Sequence, residues 1–259
     1  MILEVKSLSA GYGRKTILHD VSFSLEPGTM TGLLGSNGSG KTTLLKSLCG
    51  LLPHTGQVTL QGMPLEQLPP RALARRCSLI GQRSGISIDI SALDVVLMGF
   101  NARLGLLEYP GKQMREAARQ ALEAVGLGGM EEQNYQTLSE GQKQLCILAR
   151  TLVTEAGLVL MDEPESALDF FGRYQMLGQV KQFLGADRAA LVTLHDPQLA
   201  LNCCDRLLLL LRDGCLLDAL EPQRDSLEDM ERKLSMVYGN LTLLRVNNKD
   251  GKPQLVLVR

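Results

Sequence analysis

The chain has 259 residues, of which 44% are hydrophobic and 21% are charged, and its formal net charge is -1. This near-neutral balance excludes the overall basic field of a nucleic-acid-binding protein, and the absence of Trp disfavours a base-stacking platform. We therefore expect no nucleic-acid partner, and the length allows one large domain with subdomains.

Neither the cysteines nor the apolar runs indicate a secreted or membrane-spanning protein. The six cysteines form no C-x-x-C pair, so we expect reduced and mostly buried thiols. The N-terminus lacks a signal-peptide pattern, and the longest leucine run, 207–211, is far shorter than the roughly 20 residues of a membrane helix. A role at a membrane would therefore require a partner that holds the chain there.

The first third of the chain reads mainly as strands with one helix. Short apolar or alternating runs bounded by Gly and Pro predict strands, and the run that follows the Gly-rich loop predicts a helix. The predicted strands are 2–8, 15–28, 30–34, 56–62 and 77–81, and the predicted helix is 41–52.

From about 90 to 154 the pattern is helical. In the helix predicted over 111–127, one face is apolar, and Gly126 and Gly128 supply stop signals. The residues on that face are Met114, Ala117, Ala118, Ala121, Leu122 and Val125.

Strands return in the last third. The runs 157–161, 189–194 and 206–211 are continuously apolar and alternate with helix-like stretches, which is typical of a parallel sheet buried on both faces. The end of the chain, 241–259, reads as a hairpin around a Gly-containing turn.

The segment GSNGSGKT, 35–42, fits the phosphate-loop pattern G-x-x-x-x-G-K-[ST]. Its glycines let successive backbone N–H groups point at phosphates, and the following helix adds its positive N-terminus. Lys41 should reach the β- and γ-phosphates, and Thr42 should bind Mg²⁺. The alternative, a Gly-rich turn with a chance Lys-Thr, does not account for the strand before it and the helix after it.

A second candidate site follows the buried run 157–161. Asp162 and Glu163 end that strand, where open α/β sheets bind ligands. Asp162 suits Mg²⁺, and Glu163, pointing the other way, suits the polarisation of an attacking water. The alternative is a strand end that turns into solvent at Pro164.

Three single residues carry weaker signals. His195 follows a strand and could contact a γ-phosphate, Gln82 follows another and could bind Mg²⁺ or water, and Tyr12 could stack on adenine. Each also has an ordinary structural explanation, which the sequence leaves open.

The stretch LSEGQKQL, 138–145, looks like a second anion site. Ser139 is a good N-cap, and Gln142 completes a capping box, so the helix N-terminus is available to an anion. An ordinary capped helix explains Ser139 and Gln142 but not Gly141 between them.

Together these motifs resemble the ATP-binding cassette (ABC) ATPases, in order and in spacing, over nearly the whole chain. The resemblance implies an α/β fold: a P-loop NTPase cassette with a RecA-like parallel-sheet core, an N-terminal antiparallel β subdomain and a helical subdomain. It implies a cassette domain over 1–240, with the helical subdomain at about 83–154, and a hairpin tail over 241–259.

The resemblance also implies a role for each matching residue. The residues that would wrap the ATP phosphates are Gly35, Ser36, Asn37, Gly38, Ser39, Gly40, Lys41, Thr42 and Thr43. Tyr12 would stack on adenine, Thr42, Gln82 and Asp162 would serve Mg²⁺, and Lys41, Glu163 and His195 would be catalytic.

In this family two cassettes pack head to tail, which gives the second anion site a purpose. LSEGQ is similar to the family signature LSGGQ, and Ser139, Gly141 and Gln142 would cover the γ-phosphate held by a second copy. Asp169 would lie at that dimer interface. Two residues depart from the pattern: Glu140, which we expect to turn outward, and Glu165, an additional acid after the Asp162–Glu163 pair.

Within the family, the segment 83–107 and the tail look like the import ATPases for iron-siderophores, haem and cobalamin. This likeness implies a homodimer that binds membrane permease subunits on the cytoplasmic face of the cell membrane, served indirectly by an extracytoplasmic substrate-binding protein. We expect a ferric siderophore as cargo. A soluble ABC ATPase without a permease, such as an iron–sulfur cluster assembly ATPase, stays open as the alternative, whereas a P-loop kinase would not explain LSEGQ.

Overall fold

The computed structural model describes residues 1–81, 85–105, 107–249, 251 and 253–258. The strands are β1 Leu3–Tyr12, β2 Lys15–Leu25, β3 Met30–Gly35, β4 His54–Leu60, β5 Met63–Pro64, β6 Cys77–Ile80, β7 Leu158–Asp162, β8 Ala189–Thr193, β9 Arg206–Leu210, β10 Leu216–Leu220, β11 Thr242–Asn247 and β12 Pro253–Val258. The α-helices are α1 Lys41–Leu48, α2 Pro70–Arg76, α3 Ala92–Leu97, α4 Lys112–Ala124, α5 Glu140–Leu152, α6 Phe170–Leu184, α7 Pro197–Cys203 and α8 Leu227–Tyr238, and short 3₁₀ turns occupy Leu65–Gln67, Met98–Phe100 and Tyr135–Thr137.

The centre of the molecule is a six-stranded sheet in the order β10-β9-β3-β8-β7-β6. Five of these strands are parallel, and β10 runs antiparallel to β9 at one edge. Every residue of β3, β7 and β8 is buried, which explains why their sequences are apolar without alternation. The predicted parallel sheet is confirmed.

A four-stranded antiparallel sheet, in the order β2-β1-β4-β5, forms the N-terminal β subdomain. One hydrophobic core joins it to the central sheet, and the helix that follows the phosphate loop lies in this core. Leu44, Leu45 and Leu48 of α1 pack there with residues of both sheets, such as Leu18 and Leu33. The N-terminal part of the predicted fold is therefore confirmed.

Helices α3, α4 and α5 pack on one another in a second core cluster, as the helical pattern predicts. On the predicted apolar face of α4, Ala118, Ala121, Leu122 and the adjacent Val125 are buried, and Met114 and Ala117 are partly buried. None of the helices in the described ranges is both long and apolar enough to cross a bilayer.

The prediction of one helix over 41–52 is wrong at its end, because α1 stops at Leu48. Gly50 takes a positive φ of 72°, and the N–H groups of Leu51 and Leu52 both bond to the Lys46 carbonyl, at 2.9 and 3.1 Å. The chain therefore closes the helix with a glycine in the left-handed region, and the apolar residues beyond it leave the helix.

The predicted tail hairpin is confirmed as β11 paired with β12. It is held to α7 and α8 by side chains that bond its backbone. Asn202 exchanges two hydrogen bonds with Leu255, at 2.8 and 2.9 Å, and the Leu243 N–H donates to Glu231 at 2.7 Å. Leu243 and Leu255 are buried in the same core cluster as the helices.

Candidate functional site

The carboxyl ends of β3, β7 and β8 meet at one edge of the central sheet. Because β8 lies between β3 and β7, the phosphate loop, the acids after β7 and His195 after β8 come together there. They surround a cleft of about 420 Å³. The residues that line it are Ile17, Asn37, Gly38, Gly40, Lys41, Thr42, Thr43, Glu163 and His195. The structure thus brings the phosphate loop together with residues after β7 and β8 that lie more than 100 residues further along the chain.

The phosphate loop needs its glycines. Gly38 and Gly40 have φ of 82° and 106°, and a Cβ at Gly40 would lie 2.7 Å from a methyl group of Leu18. The hydroxyl oxygens of Ser36 and Ser39 are buried, and within the described part of the chain they have no hydrogen-bond partner. Buried polar atoms left in this state beside a cleft indicate a site built for a polar ligand.

Lys41 lies over the same loop. Its Nζ donates to the carbonyl oxygens of Gly35 at 2.8 Å and Ser36 at 3.4 Å, and the side chain is buried. Burial lowers the pKa of Lys41, and the nearby carboxylates of Glu163 and Asp162 oppose that shift. An anion in the cleft would offer this ammonium a stronger acceptor than a carbonyl.

Thr42, Asp162 and Thr193 form a connected group of oxygen atoms behind the cleft. The Thr42 hydroxyl donates to Asp162 Oδ2 at 2.7 Å, and the Thr193 hydroxyl donates to Asp162 Oδ1 at 2.9 Å. A threonine hydroxyl beside a carboxylate is a donor set that suits Mg²⁺, which prefers oxygen ligands. Thr193 was not among the predicted residues.

Glu163 has an unusual backbone for a non-glycine residue, with φ of 51°. Its N–H donates to the Thr193 hydroxyl at 2.9 Å, and its Oε2 lies 2.6 Å from His195 Nε2. A left-handed backbone at such a residue costs about 1–3 kcal/mol and is typical of functional sites. The two predicted catalytic side chains are therefore in direct contact at the cleft.

Tyr12 is not among the described residues that line this cleft. Tyr12 ends β1 with its side chain 47% exposed, and its ring centroid lies 6.0 Å from Nζ of Lys46 on α1. Stacking of Tyr12 on adenine stays a prediction. Gln82 lies outside the described residues, and its Mg²⁺ role stays a prediction.

The second predicted anion site lies at the start of α5, and its predicted capping box is confirmed. Ser139 Oγ accepts from the Gln142 N–H at 3.2 Å, and Gln142 Oε1 accepts from the Ser139 N–H at 2.9 Å. Glu140 turns outward as expected: its side chain is 79% exposed and bonds Lys143 at 2.8 Å.

Gly141 is explained in part by packing. A Cβ there would lie 3.3 Å from both the Ala167 carbonyl oxygen and a methyl group of Leu168. Neither Ser139, Gly141 nor Gln142 is among the described residues that line the cleft. One chain therefore presents two separate segments with the chemistry of anion sites.

Comparison with known proteins agrees with this arrangement. The sequence profile described as "ABC transporter" matches residues 18–166, more than half of the chain. The chain belongs to the ABC transporter family.

Several curated ABC transporter proteins are similar over most of their length. The hemin import ATP-binding protein HmuV of Pseudomonas fluorescens (strain Pf0-1) is 36% identical over 98% of this chain and 99% of its own. The zinc transport system ATP-binding protein TroB of Treponema pallidum (strain Nichols) is 37% identical over 80% of this chain and 77% of its own. A Helicobacter pylori (strain 26695) protein named "Probable iron chelatin transport ATP-binding protein" is 36% identical over 86% of this chain and 88% of its own.

Solved ABC structures share the fold. A chain of an inward-facing ABC transporter superposes with a TM-score of 0.83 at 23% identity, covering 100% of this chain and 98% of that one. A nucleotide-free ATP-binding cassette from an ABC transporter gives a TM-score of 0.77 at 22% identity, covering 90% of this chain and 95% of that one. The predicted α/β cassette is confirmed.

Proposed function

We propose that this protein is the ATP-hydrolysing subunit of an ABC importer, working as a homodimer bound to membrane permease subunits. The observation that carries the proposal is the 2.6 Å contact between Glu163 and His195 at the mouth of the phosphate-loop cleft. A carboxylate there can accept a proton from water, and a phosphate-binding loop supplies the electrophile beside it.

ATP would bind with its phosphates in the loop. The backbone N–H groups of 35–43, the buried hydroxyls of Ser36 and Ser39 and the ammonium of Lys41 are the donors available to it. In binding, Lys41 would exchange its bond to the Gly35 carbonyl for a phosphate oxygen, a charge-assisted bond. Tyr12 would stack on the adenine.

Thr42 and Asp162 would hold Mg²⁺, with Gln82 as the further predicted ligand. When bound, the ion would neutralise charge on the β- and γ-phosphates. Glu163 would orient water for in-line attack on the γ-phosphate and accept its proton. Lys41 and His195 would stabilise the charge that develops on the transferred group.

The site would be completed by a second copy. Glu140 begins a 13-residue helix, with Ser139 as its N-cap and Gly141 and Gln142 in its first turn. The residues at this positive N-terminus are not among those that line the cleft of their own chain, and the outward-turned Glu140 leaves it accessible. Asp169 caps α6 nearby, and Phe170 and Phe171 after it are 63% and 80% exposed. Two neighbouring aromatic side chains exposed to this degree favour a surface that a partner covers.

A second feature supports a membrane partner. The end of α1, α2 and β6 enclose a largely apolar groove of about 710 Å³, which reaches Leu79. Leu51, Leu52, Leu68 and Leu73 line it, and Leu51 is 69% exposed. An apolar helix from a permease would fit this groove. The motion of the ATP site would pass to the permease through the region between Gln82 and about Gly105.

The relatives' names support import of a metal or metal chelate. They name hemin, zinc and iron chelatin transport. We propose a ferric siderophore first, and haem or cobalamin next, delivered by an extracytoplasmic binding protein. The cassette would be peripheral, on the cytoplasmic face of the cell membrane.

The hydrolysis step is tested by Glu163→Gln, which keeps the shape of the side chain but cannot take up a proton. Phosphate release should fall about 10²–10⁴-fold, while an ATP-bound dimer still forms on size exclusion. Glu116→Gln, an exposed carboxylate on α4, is the matched control and should keep the wild-type rate. Hydrolysis by Glu163→Gln at the wild-type rate would remove Glu163 from its role.

The transport step is tested in cells. The tagged protein should co-purify with a polytopic membrane protein, and deletion should abolish uptake of labelled ferric siderophore, haem, cobalamin or zinc. Loss of uptake of one of these compounds would identify that compound as the cargo. ATP hydrolysis by the isolated protein with no membrane partner and no uptake defect would favour the soluble ABC ATPase instead.

A further inference from the structure

Glu165 is a carboxylate with almost no access to solvent. It lies in the bend after β7, two residues beyond Glu163, and is 2% exposed. Acidic side chains are rarely buried to this degree unless they are paired, because removing a carboxylate from water costs free energy. Its place beside the hydrolytic pair therefore calls for a physical reason.

The Glu165 carboxyl bonds the backbone of His195. Its Oε1 accepts from the His195 N–H at 3.4 Å, across the gap between the end of β7 and the end of β8. The imidazole of the same residue lies 2.6 Å from Glu163. One acid thus contacts the main chain of His195 and the other contacts its side chain.

The segment that carries His195 is a short junction between β8 and α7. Its far end is held by Asp196, whose side chain accepts from the N–H groups of Gln198 and Leu199 at 2.9 and 3.1 Å. Glu165 holds the near end. These bonds at both ends restrain the backbone that carries the His195 imidazole against Glu163.

Packing alone does not explain an acid here. Within the described residues, Glu165 Oε2 is buried and has no hydrogen-bond partner. Burial raises the pKa of Glu165, an effect that hydrogen bonding to the His195 N–H opposes. An apolar side chain would fill the space without leaving a polar atom unsatisfied. The presence of a carboxyl here therefore points to the contact that its other oxygen makes with the His195 N–H.

We propose that Glu165 is a positioning residue for ATP hydrolysis, which fixes the backbone of His195 and so holds its imidazole against Glu163. The inference rests on the proposed function, because it assigns Glu165 a part in the same reaction. Glu165 acts through His195, because its oxygen accepts a hydrogen bond from the His195 N–H. The side-chain oxygen of a glutamine can also accept this bond.

A double-mutant cycle tests this dependence on His195. Wild type, Glu165→Ala, His195→Ala and the double variant are compared by single-turnover hydrolysis of radiolabelled ATP, which resolves slow rates. Misplacement of a reacting group by a fraction of an ångström lowers rates strongly, so Glu165→Ala should lower the wild-type rate about tenfold. In the His195→Ala background it should have no further effect. Equal losses in both backgrounds would show a general structural role and overturn the proposal.

Steady-state kinetics of the conservative variant give a second test that tolerates a loss of stability. Glu165→Gln keeps an oxygen that accepts the His195 N–H and should retain most of kcat, whereas Glu165→Ala should lower kcat with little change in KM for ATP. Glu116→Ala, the exposed control on α4, should change neither constant. An equal loss of kcat in Glu165→Gln and Glu165→Ala, or a rise in KM without a fall in kcat, would overturn the proposal.

The two proposals fail in different ways. If the proposed function is wrong, Glu163→Gln hydrolyses ATP normally or the wild type does not hydrolyse it. If only the role of Glu165 is wrong, those results stand and the cycle is additive.

Discussion

The two predicted anion-binding segments of this chain, the phosphate loop 35–43 and the signature segment 138–145, are built differently. In the phosphate loop, the hydroxyls of Ser36 and Ser39 are buried and, as far as the described residues go, unpartnered, and Lys41 is folded onto loop carbonyls. In the signature segment, Ser139 and Gln142 already bond each other, and Glu140 and Lys143 pair in solvent. The first segment thus keeps two buried hydroxyls without a partner among the described residues, whereas the polar groups of the second bond one another.

This difference indicates how each segment works. A loop with unsatisfied buried donors gains from a ligand that enters it, so it can bind phosphate within one subunit. A helix N-terminus on an exposed surface offers a dipole and one hydroxyl, which contribute little in water. In the proposed dimer, the partner subunit would exclude water and bring its phosphate to this segment.

The largest expected contrast is in ATP binding by dilute monomers. Lys41→Ala removes a charge-assisted hydrogen bond, worth roughly 1.5–3 kcal/mol, and should weaken binding of a fluorescent ATP analogue about 10–100-fold. Ser139→Ala should leave this affinity unchanged and lower only hydrolysis by the dimer. If Ser139→Ala weakens the monomer as much as Lys41→Ala does, the two segments are not functionally distinct.

Mixing these two variants sharpens the same contrast. A mixed dimer pairs the intact phosphate loop of one subunit with the intact signature of the other, which restores one of its two sites. Random equimolar mixing should give about a quarter of wild-type phosphate release, since half of the dimers are mixed. Each variant alone is the control, and a mixture no more active than either would argue against shared sites.

The glycines of the two segments should differ in their tolerance of a side chain. Gly40 has φ of 106° and a Cβ there meets Leu18 at 2.7 Å, whereas the closest contacts at Gly141 are 3.3 Å. Gly40→Ala should cost roughly 1–3 kcal/mol, a fall in Tm of several degrees, and Gly141→Ala less than about 1 kcal/mol. Thermal unfolding without nucleotide measures both, and equal losses would contradict the comparison.

The smallest expected effect concerns the pH dependence of stability that Glu165 contributes. Burial raises the pKa of Glu165 above its ordinary value of 4.5 in the folded protein. The folded protein then keeps a proton that the unfolded chain loses, so the favourable contribution is complete below pH 4.5 and is lost as pH rises through the raised pKa. Glu165→Gln cannot lose this proton.

The melting temperature of Glu165→Gln should therefore gain on that of wild type as pH rises from the acid side to neutral. Glu116→Gln, which changes an exposed carboxylate, should show no such trend. A constant difference between Glu165→Gln and wild type across this range would contradict the raised pKa.

Much of the site could be predicted from sequence because its parts are local. The phosphate loop needs only a strand, glycines and a helix in succession, and the capping box spans four residues. Asp162 and Glu163 were identifiable from their place after a buried strand. Thr193 was missed, because its bonds to Asp162 and Glu163 cross from one strand to the next and leave no local pattern.

The sequence by itself determined the elements, their order and the chemical identity of both anion-binding segments, since periodicity, caps and turn residues act over a few positions. Tertiary structure alone decided which residues meet. It brought His195 against Glu163 and enclosed Glu165, because these contacts depend on the order of parallel strands in the sheet. It also kept the signature segment out of the cleft, because that segment lies on the helical region rather than at the strand ends.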